Sequence, residues 1–144
     1  MTAKRTLRLF DYGSLLAGER DHDLLLGAEP IGRAKTPPVY HLVELDAFPA
    51  LVRGGRTQVE GELYRVELAT LAAIDVRKQH PALFQRQKIE LADGEPAEAY
   101  LMSLDQVRGR HRLKHGDWRR RFAPAPTGIP PSPWARWARD RRSR

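Results

Sequence analysis

A short loop near the N-terminus carries the residues that are best placed to do chemistry. Tyr12, Gly13, Ser14 and Leu15 follow a strand that the alternating sequence predicts over Leu7–Phe10. A glycine turn at the end of a strand presents backbone N–H groups and a hydroxyl, which suit a carboxylate or phosphate oxygen. The sequence therefore predicts that these four residues form a small-molecule binding site.

Nucleophile and metal chemistry have little support in the sequence. Ser14 is not expected to act as a nucleophile, because no Gly-x-Ser-x-Gly motif surrounds it and no His is placed predictably beside it. The five His residues are scattered without metal-ligand spacing, and the chain has no Cys. We therefore expect neither a metal site nor a cofactor.

The elements that must position this loop follow from hydrophobic periodicity and turn residues. Gln58–Val66 alternates and predicts a strand, while Glu67–Arg77 has apolar residues at helical spacing and predicts the principal helix. A short helix is predicted from Asp21, as its N-cap, to Leu26. Residues 47–57, punctuated by Pro and Gly, are predicted to form a loop. Further strands are predicted at Ile31–Lys35, Val39–Leu45, Phe84–Leu91 and Ala97–Met102.

Four further segments resemble a known family in their order and spacing. They are Phe48–Val52, Val59–Tyr64, Leu71–Asp75 and Leu83–Arg86. With the loop, they resemble the gamma-glutamylcyclotransferase-like family, which includes gamma-glutamylamine cyclotransferases, from about Leu7 to Met102. The resemblance implies an α+β fold: a small mixed, mostly antiparallel β-barrel with one principal helix and a ligand cavity beside the Tyr12–Leu15 loop. It places this domain at residues 5–105 and leaves 106–144 as a C-terminal extension.

The chemistry that the resemblance implies depends on one position. Enzymes of the family release 5-oxoproline when the α-amine of a γ-glutamyl substrate attacks its own γ-carbonyl and expels the amine partner. A Glu, in a segment resembling Leu-Asp-x-x-Glu-Gly, takes the proton of that amine. In this chain Asp75 matches the Asp, while Lys78 and Gln79 stand where the family has Glu and Gly.

A lysine at that position reverses the local charge. Protonated Lys78, with an ordinary pKa near 10.4, cannot accept a proton and repels the substrate's ammonium, and lowering its pKa by about three units would cost about 4 kcal/mol. We therefore expect a small-molecule-binding protein with weak or absent cyclotransferase activity, whose γ-glutamyl-like or anionic ligand turns an anionic group toward Lys78. Two alternatives stay open. Asp11 or Glu62 could replace the missing base in an active enzyme, or Lys78 itself could be the reactive group of a changed reaction.

The extension carries most of the positive charge. The chain has a net charge of +7, and residues 108–144 contain twelve Lys or Arg against two Asp or Glu. Aromatic residues lie among arginines at Arg119–Phe122 and Trp134–Arg139, so binding of nucleic acid or an anionic surface is an alternative function. Gly116-Asp117-Trp118 instead resembles a segment of some bacterial relatives, and predicts a clasp in which Trp118 packs on the domain.

Length and hydropathy set the remaining expectations. A chain of 144 residues suits one domain with a sizeable core. No apolar run approaches the 18 or so residues of a membrane span. Since no apolar signal region follows the N-terminal Met, the expected location is the cytoplasm.

Overall fold

Eight strands and one α-helix make up the described part of the chain. The computed structural model describes residues 5–121. The strands are β1 (Thr6–Asp11), β2 (Glu29–Lys35), β3 (Tyr40–Glu44), β4 (Pro49–Arg53), β5 (Glu60–Glu67), β6 (Gln85–Glu90), β7 (Pro96–Leu101) and β8 (His111–Arg112). The helix α1 spans Leu68–Arg77, and short 3₁₀ segments lie at His22–Leu25, Asp105–Val107 and Trp118–Arg120.

All eight strands belong to one mixed sheet. Its order is β2-β5-β1-β7-β4-β3-β8, with β6 paired to β7 beside this path. The β1–β7 and β4–β7 pairings are parallel, and the other pairings are antiparallel. The α+β class and the single principal helix are as predicted. The predicted barrel is not confirmed, because the path ends at β2 and at β8 rather than closing on itself.

The sheet is buried on both faces around β1. Adjacent side chains of a strand point to opposite faces. Leu9 accordingly belongs to one apolar cluster, with Val66, Ile74 and others, and Phe10 to a second cluster. Helix α1 contributes Ile74 and Leu71 to the first cluster, which fixes the helix end beside β1.

Two local predictions were wrong. The predicted loop over residues 47–57 contains the strand β4, whose Pro49–Val52 portion is fully buried and therefore shows no alternation. Asp21 makes no side-chain cap on the 3₁₀ segment His22–Leu25, because its carboxylate instead accepts a hydrogen bond from Arg77 at 2.8 Å.

The residues that follow position 105 also contact the sheet. Strand β8 pairs with β3, and the N–H of Glu60 donates to the carbonyl of Gly116 at 2.7 Å. Trp118 is 4% exposed and packs in the second apolar cluster, as the clasp interpretation predicted. The rest of the basic extension, with its Trp134–Arg139 pattern, lies outside the described residues. Within residues 5–121, no helix is both long enough and apolar enough to cross a membrane.

Candidate active site

The Tyr12–Leu15 loop is held from the inside by an acidic residue. The Asp11 carboxylate accepts hydrogen bonds from the N–H groups of Gly13 at 2.9 Å and Leu15 at 3.1 Å. Asp11 is 3% exposed. Two of the N–H groups assigned to a ligand are therefore used by Asp11, as in an Asx turn.

The Tyr12 side chain also points into the protein. Its hydroxyl donates to the carbonyl of Tyr100 at 2.5 Å and accepts from the N–H of Leu51 at 3.0 Å. Burial accordingly raises the pKa of Tyr12 well above its ordinary value. These two bonds tie the loop to β7 and β4, so Tyr12 positions the loop rather than lining its cavity.

Lys78 lies directly against the loop. It follows the last residue of α1, and its Nζ donates a hydrogen bond to Ser14 Oγ at 3.0 Å. The same Nζ lies 4.8 Å from the centroid of the Phe84 ring, in cation–π range. Lys78 is only 7% exposed. Lys78 is therefore in direct contact with the loop.

Ser14 and Lys78 open onto a common cavity of about 150 Å³. Its walls combine the aromatic rings of Phe48 and Phe84 with the cationic side chains of Arg20, Arg77 and Lys78. The Asp21 carboxylate also lines it and pairs with Arg77 at 2.8 Å. The cavity can therefore enclose a small molecule that has an apolar part and a negatively charged group.

Lys78 and Asp11 are both buried and carry groups of opposite charge that influence each other electrostatically. Burial lowers the pKa of Lys78, with a smaller contribution from Arg20, while Asp11 and Asp21 oppose the shift. Burial raises the pKa of Asp11, against the attraction of Lys78 and the hydrogen bonds of the loop. Both groups thus shift toward their neutral forms, because removal from water penalises each charge more than the partner compensates it.

The residue after Lys78 has an unusual backbone conformation. Gln79 has a φ of 53°, in the left-handed region that glycine adopts without steric cost. The family resemblance places a Gly at this position. The conformation therefore suits a glycine although the chain has a glutamine there.

Asp75 stabilises the end of α1 through hydrogen bonds with neighbouring strands. Arg86 donates to it from Nε at 2.9 Å and from a terminal nitrogen at 3.2 Å, and the Tyr100 hydroxyl donates at 2.6 Å. Burial alone would raise the pKa of Asp75, but the bonds from Arg86 and Tyr100 outweigh it and hold the pKa below its ordinary value. Asp75 thus joins α1 to β6 and β7 at the helix end that carries Lys78.

Asp75→Asn should lower the free energy of unfolding at neutral pH by about 1–3 kcal/mol, since it removes the charge of the carboxylate that accepts from Arg86 and Tyr100. A lowered pKa gives stability that is present above the unfolded value, near 3.9, and lost as the pH falls through the folded value. The difference between Asp75→Asn and wild type should therefore shrink on acidification from about pH 7 to about pH 3 in urea titrations. Asp105→Asn, in an exposed pair with Arg108, is the matched control and should change little.

Glu62 lies apart from this cavity. Its carboxylate accepts from the N–H of Ala17 at 2.9 Å, the Tyr64 hydroxyl at 3.0 Å and Arg119 at 3.2 Å. Burial opposes the charge, but these donors keep the pKa of Glu62 below its ordinary value, while the pKa of Tyr64 rises to about 12. Glu62 does not line the cavity around Lys78.

The structure thus brings together part of the predicted site. Ser14 and Lys78 share the cavity, Asp11 lies beneath the loop, and Glu62 points elsewhere. Sequence reasoning missed the cationic contribution of Arg20, which no periodic pattern marks, and that of the Phe84 ring. Within residues 5–121, no three His, Cys, Asp or Glu side chains cluster as metal ligands would.

Comparison with known proteins agrees with this architecture. The family described as gamma-glutamyl cyclotransferase, AIG2-like, matches residues 9–120. A protein of Vibrio cholerae described as a putative gamma-glutamylcyclotransferase is 35% identical over 111 residues, 76% of this chain and 93% of its own. Gamma-glutamylaminecyclotransferase A of Danio rerio is 34% identical over 110 residues, 67% of this chain and 68% of its own.

A solved structure shows the same fold. The crystal structure of c4763, a uropathogenic E. coli-specific protein, has a TM-score of 0.71 at 27% identity, covering 81% of this chain and 94% of that one. The family match covers most of the chain and includes both the Tyr12–Leu15 loop and Lys78. The chain therefore belongs to the gamma-glutamyl cyclotransferase, AIG2-like family.

Proposed function

We propose that this protein is a cytoplasmic small-molecule-binding member of the family whose 5-oxoproline-forming activity is weak or absent. The observation that carries the proposal is the contact between Lys78 Nζ and Ser14 Oγ at 3.0 Å. At the position that the resemblance assigns to the catalytic Glu, a nearly buried amine faces the cavity. A protonated amine there has no capacity to take the proton of a substrate ammonium.

The carboxylates that could replace the base are already engaged. Asp11 is buried under the loop and bonded to two N–H groups of it. Glu62 is bonded to Ala17, Tyr64 and Arg119 and does not line the cavity. A general base must reach the proton that it removes. These placements favour loss of cyclotransferase activity over an active enzyme with a substituted base.

The test is release of 5-oxoproline from a panel of γ-glutamyl amines and γ-glutamyl dipeptides. We expect turnover by the wild-type protein to stay at the background rate. Robust turnover that Asp11→Asn or Glu62→Gln abolishes would contradict the proposal and identify the substituted base. Circular dichroism of each variant checks that a loss of turnover does not reflect unfolding.

The positive charge of the cavity lining indicates that the ligand is negatively charged. Arg20 and Lys78 line it together with Arg77, and the one acidic lining residue, Asp21, already pairs with Arg77. We therefore propose that the ligand is γ-glutamyl-like or otherwise anionic and turns its carboxylate toward this cationic side.

Acidic small molecules should raise the Tm of the wild-type protein, and should raise it less in Lys78→Met, because one of the cations facing the carboxylate is removed. The measurement is a thermal-shift screen of carboxylic acids and matched uncharged amides. Lys88→Met, at an exposed position of β6, is the control and should respond like wild type. Equal shifts in Lys78→Met and wild type, or stabilisation by amines alone, would contradict this ligand assignment.

A further inference from the structure

Ser14 was not expected to be a nucleophile because the sequence places no His beside it, but the structure places Lys78 there, in the geometry of a base. We propose that they form a Ser–Lys dyad that hydrolyses an amide or ester whose acyl part carries an anionic group, such as a γ-glutamyl amide. The assignment of the acyl group rests on the proposed function, while the dyad itself rests on side-chain geometry. The reaction would yield the free acid, here glutamate, rather than 5-oxoproline.

The contact between the two side chains meets the first requirement of such a pair. Ser14 Oγ and Lys78 Nζ are 3.0 Å apart, within the range at which a base activates a serine. With Lys78 protonated the amine donates to the hydroxyl, and with Lys78 neutral the hydroxyl can donate to the amine at the same distance. Both residues line the cavity, and Ser14 is 2% exposed, so the proposed reaction requires the acyl carbonyl to enter the cavity beside Ser14 Oγ.

The surroundings meet the second requirement, which is that the Lys78 ammonium can lose its proton, because only the neutral amine can act as a base. Lys78 is 7% exposed, and its Nζ lies over the Phe84 ring. Burial and Arg20 lower the pKa of Lys78, and Arg77 is its neighbour on the chain, while Asp11 and Asp21 act in the opposite sense. Serine–lysine pairs on unrelated folds use a lysine in this role, in place of the histidine of a triad.

Other groups in the cavity can bind the rest of the substrate. The N–H of Ser14 itself makes no hydrogen bond within residues 5–121, so it is available to an oxyanion. Arg20 lines the same cavity and can bind the carboxylate of the acyl part, whereas Arg77 is already paired with Asp21. The aromatic ring of Phe48 offers an apolar wall.

The proposed reaction balances without an added oxidant or cofactor. The Ser14 Oγ–carbon bond forms as the neutral Lys78 amine takes the hydroxyl proton, and the ammonium then protonates the leaving nitrogen as the carbon–nitrogen bond breaks. Water attacks the resulting ester, giving a proton to Lys78. The ester bond breaks as Ser14 regains its proton, so the products are a carboxylic acid and an amine.

A fluorophosphonate probe tests the dyad independently of substrate identity, because it forms an Oγ–phosphorus bond and expels fluoride. Intact mass and peptide mapping should place the adduct on Ser14, with a rate that rises about tenfold per pH unit before reaching a plateau. Lys78→Met should slow labelling by about 100-fold or more. Ser14→Ala should abolish it, whereas Ser103→Ala and Lys88→Met, both at exposed positions, should label like wild type.

The wild-type pH profile keeps the proposal testable if Lys78→Met fails to fold. No Ser14 adduct between about pH 7 and pH 10, or equal labelling of folded Lys78→Met and wild type, would overturn the dyad. Either result leaves the ligand proposal intact, since the thermal-shift screen measures binding without chemistry.

The products of γ-glutamyl p-nitroanilide in ¹⁸O-labelled water separate the two reactions. Hydrolysis through Ser14 gives glutamate with ¹⁸O in its γ-carboxylate, whereas cyclisation gives 5-oxoproline without the label. Labelled glutamate that Ser14→Ala abolishes supports both the dyad and its substrate class. Formation of 5-oxoproline in place of glutamate would overturn the dyad and the proposed function together.

Discussion

Lys78→Glu should release 5-oxoproline from γ-glutamyl amines at least about 100-fold faster than the wild-type protein, the usual contribution of a positioned general base. The new carboxylate would occupy the end of α1, facing the cavity beside Ser14. The buried Asp11 nearby raises the pKa of a second carboxylate, because two like charges in one site disfavour ionisation. A base with a raised pKa is better matched to an ammonium proton near neutral pH. The measurement is steady-state release of 5-oxoproline by chromatography.

Lys78→Gln is the matched control, because it has nearly the same size as Glu but no basic group. Lys78→Gln should release 5-oxoproline no faster than the wild-type protein. Lys88→Glu should not release it faster either, since that position is exposed on β6. We also expect a lower Tm in Lys78→Glu, because Asp11 loses its buried cation. If folded Lys78→Glu were no faster than Lys78→Gln, the alignment of Lys78 with the family's Glu would be contradicted.

Trp118→Ala should lower the free energy of unfolding by about 3–5 kcal/mol, the usual cost of removing a large buried aromatic side chain. Trp118 is 4% exposed in the second apolar cluster, and its indole N–H donates to Glu19 at 3.1 Å. The Arg121 guanidinium also stacks over its ring at 4.4 Å. Urea denaturation followed by circular dichroism measures the change. At about 2–4 °C per kcal/mol, Tm should fall by more than about 6 °C.

The control for Trp118→Ala is Arg120→Ala, an exposed position two residues further along the same 3₁₀ segment. The free energy of unfolding of Arg120→Ala should lie within about 0.5 kcal/mol of the wild-type value. A nearly unchanged stability of Trp118→Ala would show that the segment after residue 105 contributes little to the sheet. The domain would then end where the sequence resemblance placed it.

Strands and helices could be predicted where the hydrophobic pattern of the sequence matches the burial of the same residues in the folded structure. The strand predicted at Gln58–Val66 is β5 at Glu60–Glu67, and the predicted principal helix differs from α1 by one residue. Strand β4 was missed because it is buried on both faces and starts with Pro49, which reads locally as a turn. Strand β8 consists of two polar residues, which show no hydrophobic pattern. It can be recognised only from its hydrogen-bonded pairing with β3.

The candidate site could be predicted only through the resemblance. Ser14 and Lys78 are 64 residues apart, and no periodicity brings them together. The residue type of Asp11 suits both a base and a turn cap, and the hydrogen bonds that it accepts from the N–H groups of Gly13 and Leu15 identify it as a turn cap. The bonds of Asp75 with Arg86 depend on how α1 and β6 meet, which is a tertiary property.

The left-handed backbone at Gln79 allows either glutamine or glycine to follow the residue at the end of α1. A glutamine pays about 1–2 kcal/mol to adopt a conformation that glycine reaches freely. Contacts with the surrounding residues therefore fix the backbone conformation at position 79, whatever the residue type there. Replacing Lys78 and Gln79 by Glu and Gly would need no new backbone geometry. The backbone at this helix end therefore accommodates either the Lys-Gln pair of this chain or the Glu-Gly pair that the resemblance assigns to the family.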